Sequence, residues 1–271
     1  MNFLFIFYFL GLLIAIYQDF TRREIDDWLN LFLFFSGVLF LGVFFDMFRN
    51  SSVLISFGFF ILIVSLLSFA FYYGRFFSGG DSKLFFALSP LLFTPFLESS
   101  FFNLFYFIIF LFVFGSVYSL CYSFFLFTRD FKKAKVFFIK ELKRKYSLIL
   151  SCIGIVLLII GLFENLILIL GILVFMFLFL FCMAKSLENV SMKRLVNTKK
   201  LREGDWLFYD VKIGNKIFKK NWEGLKSVDI NYLRKFNKNI FVKDGIPYAP
   251  SFLFALIAYQ FSSYLLGMIF A

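Results

Sequence analysis

The 271-residue chain has no histidine, three cysteines, four prolines and few charges, with Asp, Glu, Lys and Arg making up 17% of it. Each shortage removes a class of chemistry. Without histidine, Ser-His-Asp and Cys-His catalysis are excluded, as are His-ligated zinc sites. Cys121, Cys152 and Cys182 each lie inside an apolar run with no CxxC spacing, so they read as small buried hydrophobes, not as a disulfide frame or metal site. Hydrolytic chemistry, if present, falls mainly to carboxylates. The low charge also rules out a water-soluble globule. Hydrophobic residues make up 61% of the chain, against roughly 45–50% in a soluble domain. The excess apolar surface has to face lipid. The 49 phenylalanines belong to that lipid-facing composition and mark no aromatic binding site.

Apolar runs of spanning length follow at about 2–18, 29–48, 53–77, 84–97, 101–127, 147–163, 166–184 and 250–270. The fourth is short and holds Pro90 and Pro95, so it is kinked, re-entrant, or starts as early as Gly80. The fold class expected is an all-α polytopic membrane protein of about eight transmembrane helices, six or seven being the alternatives, with a small α+β cytoplasmic domain. The domains expected are a membrane catalytic part over 1–184, a cytoplasmic α+β part over 185–249 and a final transmembrane helix over 250–271.

Charge tests this order. With the amino terminus outside, the inner loops are 19–28, 74–83, 128–146 and 185–249, and they hold 27 of the chain's 28 Lys and Arg. Only Arg49 falls outside. A dropped or added helix would break the alternation. The first helix lacks the basic segment that precedes a secretory signal's apolar core, so it reads as a retained span. The net charge of +11 follows from the inner-loop bias and an attraction to the lipid bilayer, and nothing in it requires nucleic acid.

Residues 185–249 form the one segment able to fold in water. Val211–Ile213 and Lys216–Phe218 read as strands around a Gly214–Asn215 turn. Ser227 opens a helical pattern that runs to about Lys238, and Phe241–Val242 suggests another strand. About 60 residues make a marginal core.

Ionisable groups at membrane depth are functional candidates by default. Asp19 ends the first span, and Asp81 directly precedes the fourth run. Sixty-two residues separate them, yet two intervening spans return the chain to the same inner face. Gly79 and Gly80 free the backbone for a close turn or an unusual dihedral beside Asp81. The plainer reading is that both aspartates cap or snorkel at helix ends. Lys83 either supports the Asp81 anion, touches substrate or snorkels. Glu24, Asp26 and Asp27 form an acidic cluster that suits a basic peptide, or simply a solvated loop.

Asp19-Phe-Thr-Arg-Arg-Glu-Ile-Asp-Asp-Trp28 resembles the first motif of archaeal type IV prepilin and preflagellin peptidases. Ser78-Gly-Gly-Asp-Ser-Lys83 resembles their GxGD motif, with Ser78 in place of its first glycine. Gly204-Asp-Trp-Leu, Asn221-Trp-Glu-Gly-Leu and Asp244-Gly-Ile-Pro-Tyr-Ala-Pro250 resemble the carboxyl-terminal part of longer members. The resemblance implies a membrane aspartyl endopeptidase with Asp19 and Asp81 catalytic and Gly79, Gly80 and Lys83 supporting the motif. Its substrates would be prepilin or preflagellin (archaellin) precursors, cut at the cytoplasmic face of the cell membrane. No CxxC pair like that of the bacterial branch is present, so no methyltransferase activity is expected, and no metal or organic cofactor is needed. Presenilin-type intramembrane proteases share GxGD, but their first aspartate follows a tyrosine, where this chain has Gln18.

Two close carboxylates share a proton. Helix-end dipoles would make Asp81, at an amino terminus, the base and Asp19, at a carboxyl terminus, the acid. Two other readings of the same residues stay open: a proton- or cation-coupled transporter using both aspartates, and an anchor displaying 185–249 to a partner.

Overall fold

The structure, a computed structural model, describes residues 2–214, 216–221 and 224–269. The chain divides into two compact units, Met1–Leu120 with Pro247–Ala271, and Cys121–Ile246.

The first unit holds α1 (Asn2–Arg22), α2 (Asp27–Phe44), α3 (Ser51–Tyr73), α4 (Gly79–Ala87), α5 (Ser89–Leu92), the larger part of α6 (Leu97–Arg129), and α11 (Ala249–Ile269). Helical period sorts each helix into two faces. On α1, Leu4, Tyr8, Leu12 and Ala15 are buried, while Phe3, Ile6, Leu10, Leu13 and Tyr17 are exposed. Both stripes are apolar, as a helix between protein and lipid requires. The inner stripe ends on Asp19. Tyr8, fully buried, donates its hydroxyl hydrogen bond to the carbonyl of Leu33 on α2 at 2.9 Å. Phe60, Phe85, Phe107 and Phe252 complete the core from α3, α4, α6 and α11.

The second unit continues α6 and adds α7 (Phe131–Leu142), α8 (Lys145–Gly161) and α9 (Asn165–Val190), then a small domain. Helices α8 and α9 form a tight hairpin, because Gly154, Gly161 and Gly171 remove side chains where the helices meet. A Cβ on Gly161 would stand 2.5 Å from the Leu168 backbone. In the small domain β1 (Lys193–Asn197), β5 (Asn239–Lys243) and β2 (Trp206–Leu207) make an antiparallel sheet in the order β1-β5-β2. Strand alternation turns Ile240 and Val242 of β5 inward and Phe241 outward. β3 (Val211–Ile213) and β4 (Lys216–Phe218) form the hairpin read from the sequence. Gly214 supplies its positive φ, and Asn215 lies outside the described residues. α10 (Ser227–Leu233) is shorter than its pattern: a single 3-10 turn follows, and Asn237 closes it in the left-handed conformation.

Among the described residues, five helices (α1, α2, α3, α6 and α9) are long and apolar enough to cross a membrane. They become six if α7 and α8, bent by 76°, count as one span. The apolar runs numbered eight, and three places account for the difference. The run 84–97 is no single helix: its helix starts at Gly79 and breaks after Ala87, where Pro90 can supply no backbone N–H, leaving α4 and α5 too short to span. α8 has only 17 residues on its own. α11 is apolar, and its side chains are described through Ser262. Loop 128–146 also contains a helix, α7. Cys182 is buried as expected, but Cys121 and Cys152 are exposed on lipid-facing helices, and all three are free.

Candidate active site

Asp81 is the third residue of α4, which opens with a reciprocal cap. The Ser78 N–H and O–H donate to Asp81 Oδ2 at 3.1 and 2.7 Å, and the Asp81 N–H donates back to Ser78 Oγ at 3.4 Å. The serine at the first motif position therefore has a local role, ending the loop and fixing the Asp81 rotamer. Asp81 Oδ1 accepts no hydrogen bond among the described residues. The next turn of α4 buries Leu84 and Phe85, and with them Asp81, which is 7% exposed.

Asp19, 8% exposed, lies in the last turn of α1. Its Oδ2 accepts the backbone N–H of Ala249 at 3.0 Å, a bond between residues 230 apart. Ala249 is the first residue of α11, so its N–H is one that no helical carbonyl can satisfy. Asp19 thus ends one helix and meets the amino terminus of another. The helix-end argument for Asp81 as base and Asp19 as acid loses its basis, because both carboxylates stand at helix amino termini.

Asp81 lies outside the helices long enough to span. Burial pushes its carboxyl up to about 6; the Ser78 hydroxyl opposes that rise, and the charge of Asp19 adds to it. The charge of Asp19 therefore reaches the Asp81 carboxyl. Asp81 in turn acts on the phenol of Tyr248, whose ring packs on Phe77 and Phe252.

Of the two readings for Gly79 and Gly80, a close turn or an unusual dihedral, the second does not hold. The two glycines are the first residues of α4, and a Cβ on Gly80 would meet the Ile25 nitrogen at an ordinary 3.6 Å. The left-handed residues here are Arg23 and Arg75, with φ of 60° and 62°. Among the described residues the Arg23 guanidinium Nη1 is buried without a hydrogen-bond partner, and its charge acts on Asp19. Lys83 reaches away from Asp81 and pairs with Asp27 at 2.6 Å, joining α4 to α2. Asp26 is a hub for the α1–α2 turn. Its Oδ2 accepts from Gln18 Nε2, Trp28 Nε1 and Arg22, and its N–H donates to Gln18 Oε1. Glu24 is exposed in that turn. Among the described residues, no group of three or more His, Cys, Asp and Glu could hold a metal ion.

Arg23, like Arg22, has from sequence the same open readings as Lys83, whereas Tyr248 and Ala249 carry no sequence signal of a role here. Pro247 and Pro250 around Ala249 mark a helix start, but nothing local shows that this start meets a residue 230 positions earlier.

Residues 6–124 match the type IV leader peptidase family. These residues belong to it. The leader-peptidase segment contains both aspartates, the acidic turn and the capped start of α4, while the Ala249 contact comes from beyond it. Together with the apolar helices, the match supports a multi-pass membrane protein whose residues 6–124 are of leader-peptidase type, a family that implies prepilin-type substrates. The chain has no significant match to a curated protein or to a solved structure.

Proposed function

We propose that the chain is an aspartic-type membrane endopeptidase that removes the basic leader of type IV prepilin-like or preflagellin precursors, without methyltransferase activity. One observation carries this reading: two aspartates 62 residues apart are both buried, and one acts electrostatically on the other. In this reading residues 1–184 catalyse from the membrane, 185–249 stand on the cytoplasmic side with both aspartates, and 250–271 return through the bilayer.

The pair titrates as a unit that shares one proton. That proton resides on Asp81, whose carboxyl is raised. Asp19, held by the Ala249 N–H, accepts a proton from water as the water oxygen bonds to the scissile carbonyl carbon. Asp81 gives its proton to the substrate as the C–N bond breaks, and the new amine leaves on the mature subunit. Lys83 and Asp27 brace α4 against α2, and Gly79 and Gly80 keep the approach to Asp81 free of side chains. Glu24 and the outer edges of Asp26 and Asp27 face the basic leader.

A cleavage assay in membranes tests this, with a prepilin or preflagellin carrying an intact leader. Asp19→Ala and Asp81→Ala are expected to lower leader removal by about 100-fold or more, while Asp210→Ala at matched expression retains it. If wild type cleaves none of several leaders, or if the two aspartate variants cleave like wild type, the proposal fails.

A further inference from the structure

Helix α7 has no part in the chemistry above, and its surface is unusual. Its inner side is fixed: Ala134 and Phe138 pack on Phe127, Met183 and Leu187, and Ser186 donates a hydrogen bond to the Ala134 carbonyl at 2.6 Å. Its outer side exposes Phe131 (50%), Val136 (65%), Ile139 and Leu142. Between them stand Lys132, Lys133, Lys135, Lys140 and Lys143, all exposed. Lys133 acts on Asp130 at the helix start, but among the described residues α7 itself exposes no carboxylate beside the other lysines. Glu141 is turned inward, where it pairs with Arg144 at 3.1 Å and accepts from the Tyr146 hydroxyl. Asp130, at the start of the helix, is engaged by Arg129 and Ser191.

The bend supplies the second argument. α7 turns by 76° into α8. The α8–α9 hairpin is apolar all round, and its tip exposes Leu162 (77%) and Phe163 (86%). Such a hairpin is stable only in hydrocarbon. With α8 upright in a bilayer, a 76° bend lays α7 close to the membrane plane, at the level of the headgroups. Exposed apolar side chains interleaved with lysines, at that level, match an interface in which rings and aliphatic chains enter the acyl boundary while ammonium groups reach up to phosphate.

We propose that α7 is an in-plane interfacial helix that binds anionic phospholipid, with its five lysines as the headgroup contacts. The occupant is a bilayer surface. A protein partner would not explain why the apolar and cationic residues are interleaved along a helix set across the end of a lipid-embedded hairpin.

The test uses the full chain in vesicles of phosphatidylcholine, with or without one quarter phosphatidylglycerol. Two readouts are taken. First, spin-labelled lipids measure how strongly the protein prefers the glycerol over the choline headgroup. Replacing all five lysines by Gln is expected to reduce that preference by about fivefold or more, the effect of roughly one Lys at an anionic surface. Second, a spin label at position 136, introduced by Val136→Cys with the native cysteines replaced, reports depth. It is expected to be reached by oxygen in preference to a water-soluble nickel chelate. The depth readout stands alone if the five-lysine variant fails to fold. An unchanged lipid preference in a folded variant, or a water-exposed label at position 136, would overturn the proposal.

Discussion

The Asp81 carboxylate has two partners to satisfy: the Ser78 cap that starts α4 and, in the proposed reaction, the substrate. Those demands predict an unusual pH response. A carboxyl raised to about 6 holds its proton below that pH and loses it above. If Asp81 is the acid, kcat/KM falls as pH rises through about 6, and Ser78→Ala moves that limb upward, because the hydroxyl that favours the anion is gone. If Asp81 were the base, activity would rise through the same pH, and a pH–rate profile separates the two. Asp19 has a cleaner test. Proline is accepted in the first turn of a helix, so Ala249→Pro removes the N–H that Asp19 accepts and keeps α11. Loss of a hydrogen bond to a charged group should lower kcat by about tenfold or more with little change in KM, as steady-state kinetics would show. Asp19 and Asp81 could be picked out from the sequence because carboxylates at membrane depth are rare. Ala249 could not, since a backbone N–H has no signature in residue type, and for Arg23 the charge was legible but its left-handed φ was not.

At the scale of elements, composition revealed the long apolar helices and the short strands of the small domain. What it obscured was set by single residues. Pro90 breaks the fourth run, and apolar count alone cannot show where a helix stops. α7 falls in an inner loop by composition because its lysines make 131–142 too polar to count as an apolar run, although Ala134 and Phe138 recur at helical spacing. The α8–α9 hairpin allows a paired stability test. Gly161→Val would force a side chain into the Leu168 backbone, which cannot yield, so a loss of about 1–3 kcal/mol is expected. Gly58, on α3, has nothing within 4 Å of where a Cβ would sit, so Gly58→Ala should gain about 0.5–1 kcal/mol by restricting the unfolded chain. Thermal unfolding in detergent reads both, and equal shifts for the two variants would contradict the packing described.

At the scale of the molecule, the basic residues confined to inner loops predict orientation. With the native cysteines replaced, Lys199→Cys and Glu164→Cys should react with an impermeant maleimide from opposite faces of sealed vesicles, and reaction from one face alone would refute the alternation. The bond from Asp19 to Ala249 has a consequence for biosynthesis. The chain's first helix emerges from the ribosome long before the last, by about 10–50 s at 5–20 residues per second over the 230 residues between them. Through that interval Asp19 lacks the group that holds it. Under the proposed mechanism, full competence follows only once the final helix is inserted, so nascent chains still threading into the bilayer would be kept from cutting one another or passing precursors.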